Sequence, residues 1–353
     1  MDKIIVTGAN GFIGSHLIDF CIPKNFEIYA LDRPNQTYRN LAHYTGGKKD
    51  FSKKEKLKIF RENIEIPTDN ARLKIIECDI KNNILLENII KTIDPKYIFH
   101  FAAQPLVIPS WEDPVNTIET NVIGTINIFE SIKNNKIKTR VIVACTSAEY
   151  GTTTRLNRPL KETDPLLAIH PYGISKIATE LLARQYYLNF GIEIINLRFF
   201  NQTGPRKVGD ACADFVSKIA RIELGFVEPL IEVGNLNSYR DFTDIKDSLK
   251  AIWLTATEGK PGETYNICSN RKIQIREILD IVLKFSKKNI KVIENVQNKL
   301  RKTDEDIILG DNSKIKEELG WEITISLEDT LKDMFDYWIK YYKKENGQYV
   351  EIS

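Results

Sequence analysis

Tyr172 and Lys176 stand four residues apart in H-P-Y-G-I-S-K, just ahead of the helix-periodic stretch IATELLARQYY. On an α-helix that spacing puts both side chains on one face, one turn apart. The ammonium is then expected to draw the phenol down from its ordinary value near 10 toward the working range of an acid–base group. A Tyr-x-x-x-Lys alone reads most simply as two surface residues on a helix. Here a third group, Thr146 in A-C-T-S-A-E-Y-G, ends the preceding β-type run, where its hydroxyl could meet a carbonyl or carbinol. Phenol, ammonium and hydroxyl together are the parts of a site that passes a proton to or from a carbonyl oxygen.

The missing half of such chemistry, a hydride carrier, is announced at the other end of the chain. Gly8, Gly11 and Gly14 lie in T-G-A-N-G-F-I-G, where an apolar strand hands over to a helix. In that context the first glycine makes the sharp turn, the second lets a pyrophosphate approach the backbone, and the third lets helix and strand pack closely. Asp32 closes the second strand about 20 residues on, where a carboxylate can accept from the adenosine ribose. Arg33 beside it could instead hold a 2′-phosphate, so both NAD and NADP stay open. Asp79 and Ile80 follow the third strand and could frame the adenine. Ala102, Ala103 and Gln104 end the fourth, close to the pyrophosphate and nicotinamide ribose. The positive charge of an oxidised nicotinamide would lower the Tyr172 phenol further.

These groups need a scaffold that brings strand ends together. The runs at 3–7, 27–31, 73–78, 97–102, 140–145 and 192–198 are short, apolar and β-branched, and polar or helix-periodic stretches separate them. Continuous apolar strands alternating with helices predict a doubly wound α/β fold with a parallel sheet covered on both faces. At 353 residues the chain is long enough for a second, smaller core. The organisation expected is a Rossmann domain over 1–204 and an α+β lobe over 205–353, the latter ending in the amphipathic helix SLEDTLKDMFDYWIKYYKK. Residues 34–70, with the lysine-rich KKDFSKKEKLK, break the rhythm and read as a surface insertion, a solvated loop or helix more readily than a lid or partner contact.

Composition removes other classes. The net charge of +2 is scattered, giving no reason to expect nucleic acid or membrane as a partner. Cys21, Cys78, Cys145, Cys212 and Cys268 are far apart, with no CxxC pair and no His at ligand spacing, so neither a metal site nor a disulfide framework is expected. With no leader and no apolar run of roughly 20 residues, a cytoplasmic location is expected.

At these motifs the chain resembles the extended short-chain dehydrogenases/reductases, and the resemblance covers nearly its whole length. It implies hydride transfer at a sugar carbon of a nucleotide-diphosphate sugar. Tyr172 would be the acid–base group, Lys176 its supporting cation and Thr146 the orienting hydroxyl. Cofactor contacts are implied for Asn10, Phe12, Ile13, Asn121 and Phe199, and substrate contacts for Ser147 and Ala148. Further on, N-Q-T-G-P, V-G-N-L-N-S-Y-R-D-F-T-D-I-K-D and I-L-G-D-N-S-K are similar to the branch of GDP-mannose 4,6-dehydratases and GDP-6-deoxy-4-keto-mannose reductases, closest to the reductase side. That similarity implies that Asn201 and Lys218 meet the diphosphate or sugar, that Val233 and Asn235 line the nucleotide pocket, and that Arg240 and Arg301 grip phosphate or ribose. It favours a GDP-sugar.

Dehydration needs an acid for the leaving 6-hydroxyl and a base for the C5 proton. Dehydratases of this family place a Glu two residues after the Thr; here that position is Ala148. Glu149 comes one residue later, where an extended chain would turn it to the opposite side. Reduction of a 4-keto-6-deoxy GDP-sugar is therefore expected, with dehydratase and 4-epimerase as alternatives and a binding protein without turnover as the remote one. The helical stretches at 116–132 and from Tyr172 are candidate faces of a homodimer.

Overall fold

The structure, a computed structural model, describes residues 1–60, 62–297 and 307–346. Eight strands in chain order carry the first part of the fold: β1 (Lys3–Thr7), β2 (Glu27–Asp32), β3 (Leu57–Ile59), β4 (Glu62–Ile66), β5 (Leu73–Glu77), β6 (Tyr97–His100), β7 (Arg140–Thr146) and β8 (Glu193–Phe199). Successive side chains of a strand point to opposite faces. Ile4 and Val6 of β1 therefore enter one core and Ile5 the other, as Ile28 and Ala30 of β2 part from Tyr29 and Leu31. The helices Phe12–Cys21 and Ile245–Glu258 cover the first face; Asn83–Ile93, Gly124–Asn135 and Pro171–Phe190 cover the second.

The sheet has nine strands, in the order Thr264–Ile267, β8, β7, β6, β1, β2, β5, β4, β3. All pairings are parallel except those of β4 with β5 and with β3. The chain runs outward from β1 through β2 to β5, then returns to β6 on the other side of β1. The crevice for a ligand therefore opens at the carboxyl ends of β1 and β6, where the order reverses.

Two expectations change. The division at 204 is crossed, because Thr264–Ile267 pairs with the outer edge of β8 and the helix Ile245–Glu258 packs on the main sheet. An apolar run there protects an otherwise open edge. The helices Ala211–Glu223, Ile275–Leu283 and Leu327–Lys344 do form a core of their own, with Ile219, Ile278, Met334 and Trp338 at its centre.

The insertion at 34–70 is also not a solvated loop. Tyr38 and Leu41 are buried in the main core, and β3 with β4 prolongs the sheet. Most of its lysines are exposed, but Lys56 pairs with Glu77 at the end of β5, at 6% and 5% side-chain exposure. Glu77 also accepts from the Asn35 amide (3.1 Å) and the Tyr38 hydroxyl (3.3 Å), so this carboxylate ties the insertion to the sheet. Removing one partner of a buried pair leaves a charge without compensation. Lys56→Met is expected to lower unfolding stability by roughly 3 kcal/mol, measured by urea denaturation, and Lys56→Met with Glu77→Gln to recover most of it. An unchanged midpoint in the single variant would contradict this.

Candidate active site

The helix Pro171–Phe190 starts where the sequence demands. His170 caps it, its Nδ1 accepting the Gly173 amide at 3.0 Å, and Pro171 takes the first turn, where no amide is needed. The His170 ring also stacks on Tyr172, with 8° between the planes. Tyr172, Lys176 and Glu180 follow at intervals of four on the face turned toward β7 and β8. Lys176 donates from Nζ to the Ala144 carbonyl (2.8 Å), and the Thr146 hydroxyl lies near enough to the Tyr172 phenol to favour its ionised form. The three groups singled out in the sequence are thus brought together at the end of β7.

The electrostatics differ from the expectation. Burial pushes the Tyr172 phenol up to about 12, with Glu149 and Cys145 adding to the rise and the Thr146 hydroxyl opposing it. Burial also lowers the Lys176 ammonium. Desolvation outweighs proximity here, because the hydration lost to the surrounding protein is returned only in part by a shielded neighbour. At neutral pH the phenol is a proton donor.

The glycine turn forms a cradle. Gly8 adopts φ +65°, and a Cβ there would lie 2.8 Å from the Ala102 amide; a Cβ on Gly14 would lie 2.3 Å from the Gly8 carbonyl. The helix Phe12–Cys21 begins at Gly11 with no side-chain cap, leaving the amides of its first turn directed at the crevice. Asp32 sits at the rim, one oxygen accepting the Asn10 amide (2.7 Å) and the other the Arg33 amide (2.9 Å). These features fit a dinucleotide: Gly8–Gly14 would receive the pyrophosphate and Asp32 a ribose.

Other candidates take more specific places. Phe12 and Ile13 open the first turn of that helix, half-buried. Asp79 accepts the Lys81 amide (2.9 Å), Ile80 is buried against Gly124, Ala103 follows the Ala102 that binds Thr7, and Phe199 ends β8. Asn121 lies in a π-turn, Glu119–Ile123, and spends its amide inside the protein. It accepts from the Gln104 amide (2.7 Å) and donates to the Gln104 carbonyl (3.0 Å) and Ser175 hydroxyl (2.9 Å). It clips the loop after β6 to the helix Pro171–Phe190. Below it, buried His100 bridges Thr7 (2.8 Å) and Thr125 (2.9 Å); burial and the Lys176 charge lower it to about 3, so it is neutral.

On the substrate side, Ser147 and Ala148 flank Thr146 half-buried, and the Ala148 amide donates to Thr146 Oγ1 at 3.3 Å. Glu149 does turn away, though not through an extended chain: Ser147–Glu149 is one turn of 3₁₀ helix, and the carboxylate folds back to accept the Thr146 amide at 2.9 Å. Asn201 donates to the Asp241 carbonyl (3.0 Å), Lys218 is half-buried on Ala211–Glu223, and Arg240 is buried with Nη1 on the Tyr239 carbonyl (2.8 Å). Val233 packs inside the C-terminal lobe at 2% exposure, where its apolar side chain joins that core. Asn235 is exposed and accepts the Asn237 amide. Arg301 lies outside the described residues.

Several contributors went unread in the sequence. Asn40, from the insertion, donates its side-chain amide to the Asn10 carbonyl (2.8 Å) and its backbone amide to Asn10 Oδ1 (3.1 Å), bracing the glycine turn. No local signal marks it. His170 was findable, since His-Pro ahead of a helical pattern is a capping arrangement. Glu180 continues the four-residue spacing from Tyr172 and Lys176.

Fold, glycine cradle and the Thr–Tyr–Lys set define an extended short-chain dehydrogenase/reductase. The family described as GDP-mannose 4,6 dehydratase matches residues 5–334, and the chain belongs to it. It is 25% identical to GDP-6-deoxy-D-mannose reductase of Pseudomonas aeruginosa, over 95% of this chain and 97% of the relative. It is 32% identical to a putative UDP-glucose 4-epimerase of Methanocaldococcus jannaschii, over 96% and 98%. Among solved structures, that of RMD from P. aeruginosa complexed with NADPH superposes with a TM-score of 0.78 at 22% identity, covering 97% of this chain and all of the other. The protein is an NAD(P)-dependent enzyme that modifies nucleotide sugars.

Gly14→Ala places a methyl group against backbone that cannot move away without opening the turn. It is expected to weaken NADH and NADPH binding by at least about tenfold, a loss of roughly 1.4 kcal/mol, in a fluorescence titration. Unchanged affinity would contradict the cradle.

Proposed function

We propose that this enzyme reduces a 4-keto-6-deoxy sugar carried on GDP. The observation that carries the reading is the turn Thr146–Glu149: Ala148 stands where an elimination catalyst needs a carboxylate, and the neighbouring Glu149 is folded into the core. A half-buried, protonated Tyr172 suits reduction, which takes a proton from the enzyme, better than an opening oxidation, which requires the phenolate.

A bound dihydronicotinamide would supply the hydride. The remaining work falls to this chain: Thr146 orients the keto oxygen, Tyr172 delivers its proton there, and Lys176 stabilises the phenolate left behind while holding a ribose hydroxyl. Asp32 at the rim supports NADH over NADPH, since a 2′-phosphate would meet a carboxylate. A second reading, 4-epimerisation, is supported by the 32% identical relative named as a putative UDP-glucose 4-epimerase.

One assay separates these. Incubation with the GDP-4-keto-6-deoxy sugar is expected to consume NADH, more efficiently than NADPH, and GDP-mannose alone is expected to remain unchanged. Tyr172→Phe should lower kcat by about 10²–10⁴ with KM nearly kept. Loss of GDP-mannose without added reductant would overturn the reductase reading, and interconversion of UDP-hexoses would replace it with the epimerase.

We also propose a homodimer. Ile174, Leu181 and Leu188 recur every seven residues along the catalytic helix and are exposed, as are Val115, Ile118 and Ile123 on the adjoining helical stretch. A seven-residue apolar stripe is the pattern of a helix seeking another helix. Light scattering is expected to give twice the mass of one chain, and Leu181→Glu to return it to one; a monomeric parent would contradict this.

A further inference from the structure

Behind Thr146 and Tyr172 lies a group of ionisable side chains that the chemistry above leaves unused. Cys145 of β7, Glu149 of the turn after it and Glu180 of the catalytic helix bring ligand-type atoms within 4.8 Å of one another, all buried. The positive charge beside them is Arg198 of β8. Its guanidinium forks onto Glu180, through Nε to one oxygen (2.9 Å) and Nη2 to the other (2.6 Å). Its Nη1 serves the Tyr150 hydroxyl (2.9 Å) and the Glu162 carbonyl (3.0 Å). Glu149 gets only an approach of 3.5 Å to Nε.

Glu149 is itself fully buried. Oε1 accepts the Thr146 amide, while Oε2 has no donor to accept from among the described residues. An ionised carboxylate placed so would leave one charged oxygen without a hydrogen bond, next to a second carboxylate that takes both short bonds of the guanidinium. A carboxylic acid reverses the problem, because the orphan oxygen becomes a donor and the Glu180 carboxylate its acceptor.

We propose that Glu149 is a neutral carboxylic acid donating its hydroxyl to Glu180, a bond that fastens the Thr146 turn to the catalytic helix without setting an anion behind Tyr172. The two buried cations are spent elsewhere: Arg198 makes its short bonds to Glu180, and Lys176 donates to the Ala144 carbonyl rather than to Glu149. The groups facing Glu149 are Cys145 from β7, Tyr172, Lys176 and Glu180 from the catalytic helix, Arg198 from β8, and Tyr150 beyond it. Burial and Glu180 drive the Glu149 carboxyl well above its ordinary range, against the pull of Arg198 and the Thr146 amide. Glu149 is a positioning residue acting through Thr146. Its protonation follows from the cluster alone; its effect on Tyr172 rests on the acid–base reading given above.

Infrared spectroscopy on the cofactor-free protein at neutral pH tests the proton directly. The carbonyl stretch of a protonated carboxylic acid is expected in the parent, shifted in D2O and lost in Glu149→Gln; its absence from the parent overturns the proposal. Glutamine keeps both neutrality and a donor, so Glu149→Gln is expected to fold with little change in Tm. Failure of that variant to fold would show that the carboxylate is required, and overturns it too. In the keto-sugar assay the pH profile of Glu149→Gln should shift by less than about half a pH unit, whereas a shift to lower pH of about a unit or more means an anion was removed. Glu149→Ala should lose about tenfold in kcat at unchanged KM, with activity returned by the glutamine; parental activity in the alanine variant overturns the fastening. Should the parent reduce no keto sugar at all, the function proposed above fails while the infrared measurement still decides the protonation.

Discussion

Turning one face of the helix Pro171–Phe190 into the protein is the constraint on which the rest of the site depends. That face carries a phenol, an ammonium and a carboxylate at intervals of four residues, and none can be buried without a partner. β7 provides the Ala144 carbonyl for Lys176 and the Thr146 hydroxyl for Tyr172, and β8 provides Arg198 for Glu180. The three partners sit at the carboxyl ends of adjacent parallel strands. Catalytic geometry and helix docking are therefore the same set of bonds. A shift of the helix along the sheet by one turn would strand every one of these groups.

The same burial decides the chemistry available at neutral pH. Proximity of an ammonium argues for a phenol ready to ionise, yet desolvation carries Tyr172 the other way, to about 12. Much of the hydration of the phenolate is lost in this half-buried position, and Lys176 directs its charge at a carbonyl rather than at the phenol. A site in this condition keeps its proton at neutral pH, so it can serve as an acid but not as a base until another positive charge arrives to lower it. The crevice at β1 and β6, with its open first turn of helix and Asp32 at its rim, is where such a charge would be held.

Much of this was legible from residue types and spacing, for identifiable reasons. Parallel strands buried on both faces read as short apolar runs, so β1, β2, β5, β6, β7 and β8 stand out. The glycine triad is legible because each position forbids a side chain, as the 2.3 Å approach at Gly14 shows. What escaped reading was decided by long-range burial. A lysine-rich stretch looks solvated until one of its lysines, Lys56, finds the carboxylate at the end of β5. The strand Thr264–Ile267 is apolar enough to see, but only the open edge of β8 says which sheet it joins.

The turn after β7 shows how little sequence separates neighbouring chemistries in this fold. Each residue of a 3₁₀ turn rotates the chain by about 120°, so a carboxylate at Ala148 and one at Glu149 would leave the backbone in quite different directions. The first position flanks Thr146 at the crevice; the second lies in the space between β7, β8 and the catalytic helix. In the crevice a carboxylate would be solvated by substrate hydroxyls and could exchange protons with them. In the core the same group meets Glu180 and Arg198, and its proton, if it keeps one, serves structure. Displacing an acid by one residue thus moves it from beside the crevice into the frame that holds Thr146 in place.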